Sequence, residues 1–88
     1  MLKGTTGSGF EFEIDSEELT NMEFLDLLAE ANEGSALAFS RAVDWMFGKE
    51  QKKRLYDHLR DENGKVPIEA VNAIVEEIMS YEEDTKNS

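Results

Sequence analysis

The N-terminal segment alternates between apolar and acidic residues. Residues 9–14 read Gly-Phe-Glu-Phe-Glu-Ile, and this period of two predicts a strand with one buried face. Residues 5–8, Thr-Thr-Gly-Ser, are typical of a turn, so residues 1–4 can pair back as a second short strand. We expect a small N-terminal β-hairpin or strand that packs on helices, because a lone two-stranded unit is barely stable in water.

The pattern changes to a helical period near residue 21. Thr20 and Glu23 have the spacing of a capping box, in which the threonine hydroxyl accepts a hydrogen bond from an early backbone amide. A helix is predicted over residues 21–32, and a glycine that can end it follows two positions later. Its apolar stripe consists of Met22, Leu25, Leu28 and Ala29, widened by Phe24, Leu27 and Ala31.

The next predicted helix, residues 36–47 with Ser35 as its cap, is apolar on nearly every side. Such a helix is either central in a core or covered on two sides, and a small domain has few neighbours with which to cover both. Aromatic residues and methionine are enriched where partners dock. The surplus residues form a candidate protein-binding surface, although core packing alone explains them equally well. These candidates are Phe39, Trp45, Met46, Phe47 and, on the following helix, Tyr56.

Two further helices complete the pattern. Gly48 ends the apolar helix, and residues 49–60 form a basic helix with a sparse apolar stripe. After an Asp-Glu-Asn-Gly turn, Pro67 suits the first turn of a fourth helix over residues 67–81, where its missing amide is not needed. The apolar face of this helix carries Ile68, Val71, Val75, Ile78 and Met79, with Ile74 beside them.

Chain length limits the organisation to one domain. Eighty-eight residues with 40% hydrophobic content suffice for one core. We expect a mainly α-helical domain over residues 1–81, with about four short helices and the β element packed on them. Residues 82–88 contain no apolar side chain and are predicted to form a disordered acidic C-terminal tail. Because a core of this size supplies only ~3–5 kcal/mol, self-association is a further prediction.

The charge balance argues against several kinds of partner. Twenty acidic against nine basic residues give a net charge of −11, which phosphate backbones repel, so we expect no nucleic-acid binding. No apolar run approaches the ~20 residues that span a bilayer, and none resembles a secretion signal. The chain has no cysteine and therefore no disulfide framework. These features favour a cytoplasmic protein with no membrane partner.

No constellation of residues predicts catalysis. The single histidine, His58, lies on the basic helix, and the chain has no cysteine nucleophile for it to activate. The acidic turn at residues 61–64 resembles an EF-hand loop, but the register puts Leu59 and Ala70 at the first and twelfth ligand positions. We therefore expect no enzyme activity, no cofactor, no metal and no small-molecule substrate.

One segment resembles a known family. Residues 47–67, Phe-Gly-Lys-Glu-Gln-Lys-Lys-Arg-Leu-Tyr-Asp-His-Leu-Arg-Asp-Glu-Asn-Gly-Lys-Val-Pro, look like the central segment of tail assembly chaperones of long-tailed phages and prophages of Gram-positive bacteria. The resemblance extends to residues 9–14 and to the pattern of the fourth helix. It implies a protein in the host bacterial cytoplasm that binds the tape measure protein, a long, helical and aggregation-prone ruler, until tail-tube subunits polymerise around it.

Two alternative hypotheses for the function are also open. The acidity is also typical of a small phage or prophage regulator that occupies the basic surface of a DNA-binding protein, and a structural component of the virion is a third reading. The resemblance assigns no binding residue, because the family has no fixed binding motif to transfer. The partner recovered with the protein distinguishes the three hypotheses.

Overall fold

The computed structural model describes the backbone of residues 1–87 and the side chains of residues 1–81. It confirms a mainly helical fold in which four helices carry a small N-terminal antiparallel hairpin. The predicted disordered tail over residues 82–88 lies outside the fully described residues and stays a prediction. The elements are, in order, β1 (Leu2–Thr5), β2 (Glu11–Ile14), α1 (Ser16–Leu19), α2 (Met22–Asn32), α3 (Ala36–Leu59) and α4 (Ile68–Asn87).

The hairpin has one buried and one solvated face, as the alternating sequence predicts. β1 pairs with β2 in antiparallel register, and Gly4 lies opposite Phe12. All three apolar residues of segment 10–14 are buried, whereas the two glutamates between them are exposed. The turn is held by Thr6, whose amide donates to the carbonyl of Phe10 at 2.9 Å. The buried face therefore covers the helical core.

The N-terminal caps of the first two helices differ from the prediction. An unpredicted helix, α1, begins after Asp15, whose Oδ1 accepts a hydrogen bond from the amide of Glu17 at 2.9 Å. Asn21, not Thr20, caps α2, because its Oδ1 accepts from the amide of Glu23 at 2.9 Å. The hydroxyl of Thr20 donates to the carbonyl of Glu17 at the end of α1. The capping box predicted at Thr20 is thus wrong, since that residue already ends another helix.

The buried face of α2 centres on Phe24, which the prediction placed at the margin of the apolar stripe, and Leu27 and Leu28 pack against the core beside it. Phe24 is 1% exposed, whereas Met22 and Leu25 are 64% and 50% exposed. α2 packs mainly against α3, where the ring of Phe24 lies 6.2 Å from that of Trp45 between centroids. The stripe was misplaced because α2 is apolar around most of its circumference, so periodicity alone could not select the face that meets α3.

α3 is kinked at Gly48, which has φ 72° and ψ 174° inside the helix. The element therefore consists of an N-terminal part, residues 36–47, and a C-terminal part, residues 49–59, and the helix end predicted at this glycine is confirmed. The kink allows both parts to contribute to one core. Val43 before it and Leu55 after it are both fully buried.

α4 packs on α3 through most of the face that the sequence predicts. Val71, Ile74, Val75 and Ile78 are buried in the core. Ile68 was expected on the same face but is exposed, because the first turn of α4 stands away from α3 and borders an open groove. The start of α4 thus leaves apolar surface uncovered.

Further along α4, two side chains are hydrogen-bonded to the hairpin. The hydroxyl of Tyr81 donates to the carbonyl of Thr5 at 3.0 Å, and its ring lies 5.5 Å from that of Phe12. One turn earlier, Glu77 Oε2 accepts from the amide of Gly7 at 2.8 Å. These contacts fix where α4 lies relative to the rest of the domain.

Candidate functional site

An open apolar groove lies between the C-terminal half of α2, the N-terminal part of α3 and α4. Its volume is about 1010 Å³. A cavity of about 150 Å³ is enough to hold a benzene ring, so the groove has room for several side chains of a partner. Its large apolar lining residues are Leu28, Phe39, Val43, Tyr56, Val66, Ile68, Val71, Val75 and Met79.

The groove has an accessible wall and a buried floor. Phe39 and Tyr56 are half-buried residues that pack against the core while keeping part of their rings in the groove. Val43 and Val75 are buried and form the floor. A partner can therefore contact apolar surface here without any unfolding of the domain, and such contact would remove that surface from water.

The tight turn between α2 and α3 forms one end of the groove. Gly34 has φ 106°, a left-handed value that favours glycine, and its amide donates to the carbonyl of Ala31 at 3.0 Å. Ser35 then caps the start of α3, and its Oγ accepts a hydrogen bond from the amide of Ala38 at 3.1 Å. The cap predicted at Ser35 is confirmed, and it fixes the direction in which α3 leaves the turn.

One rim of the groove is acidic. Glu69 and Glu76, both on α4, are the charged residues of the lining, and both are exposed. Asn72 lies between them and donates from Nδ2 to Glu76 Oε1 at 3.1 Å. Among the side chains that the structure describes, neither carboxylate takes part in an ion pair. The rim thus presents two negative charges beside an apolar surface.

The five predicted protein-binding residues lie in three different settings. Phe39 and Tyr56 line the groove. Met46 and Phe47 are each 5% exposed and belong to the core, so a partner cannot reach them in the folded domain. Both candidates are therefore corrected to core residues: Phe47 meets Phe10 edge to face, and Met46 belongs to the same buried cluster. Trp45 is half-buried outside the groove.

Sequence reasoning missed most of the groove. Leu28 and Met79 were assigned to the buried stripes of two separate helices, and Val66 follows a turn with no periodic pattern around it. These residues meet only through tertiary packing. The usable signal was the excess of apolar positions over what one core can cover, which predicted an open surface but not its position.

The hairpin turn brings a serine and the histidine together on another surface. Ser8 Oγ and His58 Nε2 are 3.2 Å apart, and both residues are exposed. The imidazole also lies 5.7 Å from the ring of Phe10. Within residues 1–81 no carboxylate is hydrogen-bonded to this histidine, so the pair lacks the third group that orients a catalytic base. The expectation of no enzyme activity stays a prediction.

The described residues form neither a cluster of metal ligands nor a helix that could span a membrane. Within that part of the chain, no three acidic or histidine side chains lie close enough to hold a metal ion. No described helix combines the length and apolar character needed to cross a bilayer.

Comparison with known proteins adds no family assignment. No protein-family model matches the chain, and searches of curated proteins and of solved structures find no match. The resemblance to tail assembly chaperones stays a hypothesis that rests on the sequence.

Proposed function

We propose that the protein is a phage tail assembly chaperone that binds the tape measure protein and keeps it soluble in the host bacterial cytoplasm during tail morphogenesis. The observation that supports this most is the open groove with Phe39 and Tyr56 on its wall. A chaperone of this kind needs apolar surface that is accessible in its folded state, because its client is held by burial of the client's own apolar residues.

The charge of the domain suits a solubilising role. A net charge of −11 makes complexes of chaperone and client repel one another, which counteracts aggregation of a client with exposed apolar stripes. In this proposal the client contacts the groove, although Met22, Leu25 and Leu37 are exposed apolar residues outside it. Binding would therefore cover the apolar surface of the client and leave the charged surface of the chaperone exposed to solvent.

The open shape of the groove also suits release. A client that lies in a groove can leave without unfolding of the domain, whereas one enclosed in a cavity cannot. Tail-tube subunits that bind the client more extensively would then displace the chaperone by competition. The role requires no covalent step, so a cofactor and a catalytic group are unnecessary.

Co-expression with the tape measure protein of the same phage or prophage genome tests the proposal. We expect the wild-type chaperone to raise the soluble fraction of the tape measure protein and to co-purify with it. A tape measure protein that stays insoluble or fails to co-purify would overturn the proposal. Recovery of a DNA-binding protein in its place would instead favour the acidic regulator.

Matched variants locate the contact. Phe39→Ser and Met79→Glu alter half-buried groove residues, whereas Leu37→Ser and Met22→Glu introduce the same two residue types at exposed apolar positions outside the groove. We expect the groove variants to lose the tape measure protein and the outside variants to retain it. Circular dichroism of each variant establishes that the domain remains folded. Equal loss in both sets would place the contact elsewhere.

A further inference from the structure

The two acidic residues of the groove lie on one flank of α4. Glu69 and Glu76 are seven residues apart, which is two helical turns or about 10.5 Å along the axis. Both are exposed, and among the described side chains no cation pairs with them. The groove therefore offers two negative charges, spaced along its length, to whatever occupies the apolar surface beside them.

The backbone of the groove walls indicates the conformation of the occupant. Most lining residues belong to α2, α3 and α4, whose backbone groups are hydrogen-bonded within each helix. The β-hairpin, whose strand edges could pair with an extended peptide, does not contribute to the lining, and Gln51 already binds the outward amide and carbonyl of Glu13. An extended peptide in the groove would find few backbone partners, whereas a helix satisfies its own amides and carbonyls. A helical occupant fits this environment better than a strand.

Neither residues 82–88 nor the basic C-terminal part of α3 is a suitable occupant of the groove. Residues 82–88 contain no apolar side chain and three acidic residues, so they match neither the apolar surface nor the rim. The basic C-terminal part of α3 in a second copy has the right charge, but its residue Leu55 is fully buried and Tyr56 and Leu59 are half-buried against its own core. A second copy would also bring a net charge of −11 toward an acidic rim.

We infer that the groove accepts an amphipathic helix of another protein, with lysine or arginine residues flanking its apolar face and lying against Glu69 and Glu76. The inference rests on the proposal that the groove holds a client, and it adds how that client is selected. Apolar side chains of the occupant cover Phe39, Tyr56 and the valine floor. The basic flank sets the orientation of the helix and speeds association.

Synthetic peptides test whether the intact protein selects an amphipathic helix with a basic flank. The first probe is a fluorescein-labelled 18-residue peptide, with leucines on one helical face and lysines on both flanks. The second replaces each lysine by glutamate, and the third scrambles the first so that no apolar face forms. Fluorescence anisotropy measures affinity at low and high salt. We expect the lysine peptide to bind at least about tenfold more tightly than either other peptide. Its preference over the glutamate peptide should shrink as salt screens the charges, whereas its preference over the scrambled peptide should persist.

Charge-matched variants connect the preference to the rim. The double substitution Glu69→Gln and Glu76→Gln should weaken the lysine peptide by roughly threefold to tenfold, as expected for two exposed ion pairs. Glu17→Gln with Glu62→Gln changes net charge equally at exposed positions outside the groove and should leave affinity within about twofold. Equal loss of affinity from both double substitutions would show that only the net charge of the protein matters, and it would overturn the inference.

Other outcomes are equally decisive. Equal binding of the lysine and glutamate peptides overturns selection by charge, and equal binding of the scrambled peptide overturns selection of an amphipathic helix. A dimer seen by sedimentation and abolished by Phe39→Ser would make a second copy the occupant. If the peptides obey the rule but the tape measure protein does not bind, the phage role alone fails. If that protein binds independently of Glu69 and Glu76, only the charge rule fails.

Discussion

The indole Nε1 of Trp45 donates a hydrogen bond to Glu18 Oε2 at 2.5 Å. The same ring lies 6.2 Å from that of Phe24 between centroids. Trp45 on α3 thus contacts both α1 and α2, and it holds the two shorter helices against the longer one. These contacts account for a half-buried tryptophan in structural terms.

Removing the indole donor should lower stability without affecting the groove. Trp45→Phe keeps an aromatic ring but loses a hydrogen bond to a charged acceptor, and we expect it to reduce the free energy of unfolding by about 1–2 kcal/mol. Glu18→Gln keeps an acceptor and should cost less. Urea denaturation followed by far-UV circular dichroism measures both. If Trp45→Phe instead weakened partner binding at unchanged stability, Trp45 would be a contact residue.

The kink in α3 depends on a conformation that only glycine adopts readily. Gly48 has φ 72° and ψ 174°, a region that costs other residues about 1–3 kcal/mol. Because no atom lies within 4 Å of a Cβ at this position, the cost of Gly48→Ala should come from backbone strain alone. We expect urea denaturation to show a loss of that size.

A second glycine provides the control for this measurement. Gly7 has no left-handed φ, and its added Cβ would meet only Glu77 Oε1 at 3.8 Å. Gly7→Ala should therefore change stability by less than about 0.5 kcal/mol. Similar stability for wild type and Gly48→Ala would mean that α3 can run through position 48 without the kink.

The sequence predicted the fold correctly where a structural feature depends on residues within one short segment. The alternation of residues 10–14 predicted which face of β2 is buried, and Gly48 predicted the break in α3. The missed helix α1 also had a local signal, because Asp15 and Glu18 have the spacing of an N-cap and a third helical residue. Three-residue spacing at Thr20 and Glu23 competed with it, and only the structure shows that Asn21 is the cap.

Features that depend on packing between segments could not be derived in this way. Met46 and Phe39 lie on the same apolar helix, yet Met46 is buried in the core and Phe39 lines the groove. The difference arises from the elements that pack on each side of residues 36–47. No periodicity within residues 36–47 contains that information.

The hairpin contains one close approach that restricts a side chain. Gly4 faces Phe12 across the strands, and a Cβ at position 4 would lie 2.9 Å from Phe12 Cζ. Gly4→Ala should therefore destabilise the domain by about 1–3 kcal/mol, since the buried ring has to shift. Thermal unfolding in the wild-type background measures this cost.

A double-mutant cycle identifies the ring as the cause. In a Phe12→Leu background the same Gly4→Ala change should cost about 1 kcal/mol less, because the smaller side chain leaves space for the new methyl group. If the cost is the same in both backgrounds, the strain would arise in the backbone of β1 and not from contact with Phe12.

Asp57 on the C-terminal part of α3 gives a prediction about pH. Hydrogen bonds from Arg60, at 3.2 Å, and from Lys53, at 3.3 Å, lower the pKa of this carboxyl below its ordinary value of 3.8. A lowered pKa means that the ionised form is favoured by folding. The stabilisation is therefore present above pH 3.8 and is lost as the pH falls through the lowered pKa.

An NMR titration of the Asp57 side-chain carbon tests this ordering. We expect a midpoint below 3.8, which Arg60→Gln should raise more than Lys53→Gln because the hydrogen bond from Arg60 is the largest cause of the shift. High salt should also raise the midpoint, since the carboxylate is exposed and its attraction to both cations is screened. A midpoint that neither substitution moves would show that these two contacts do not persist in solution.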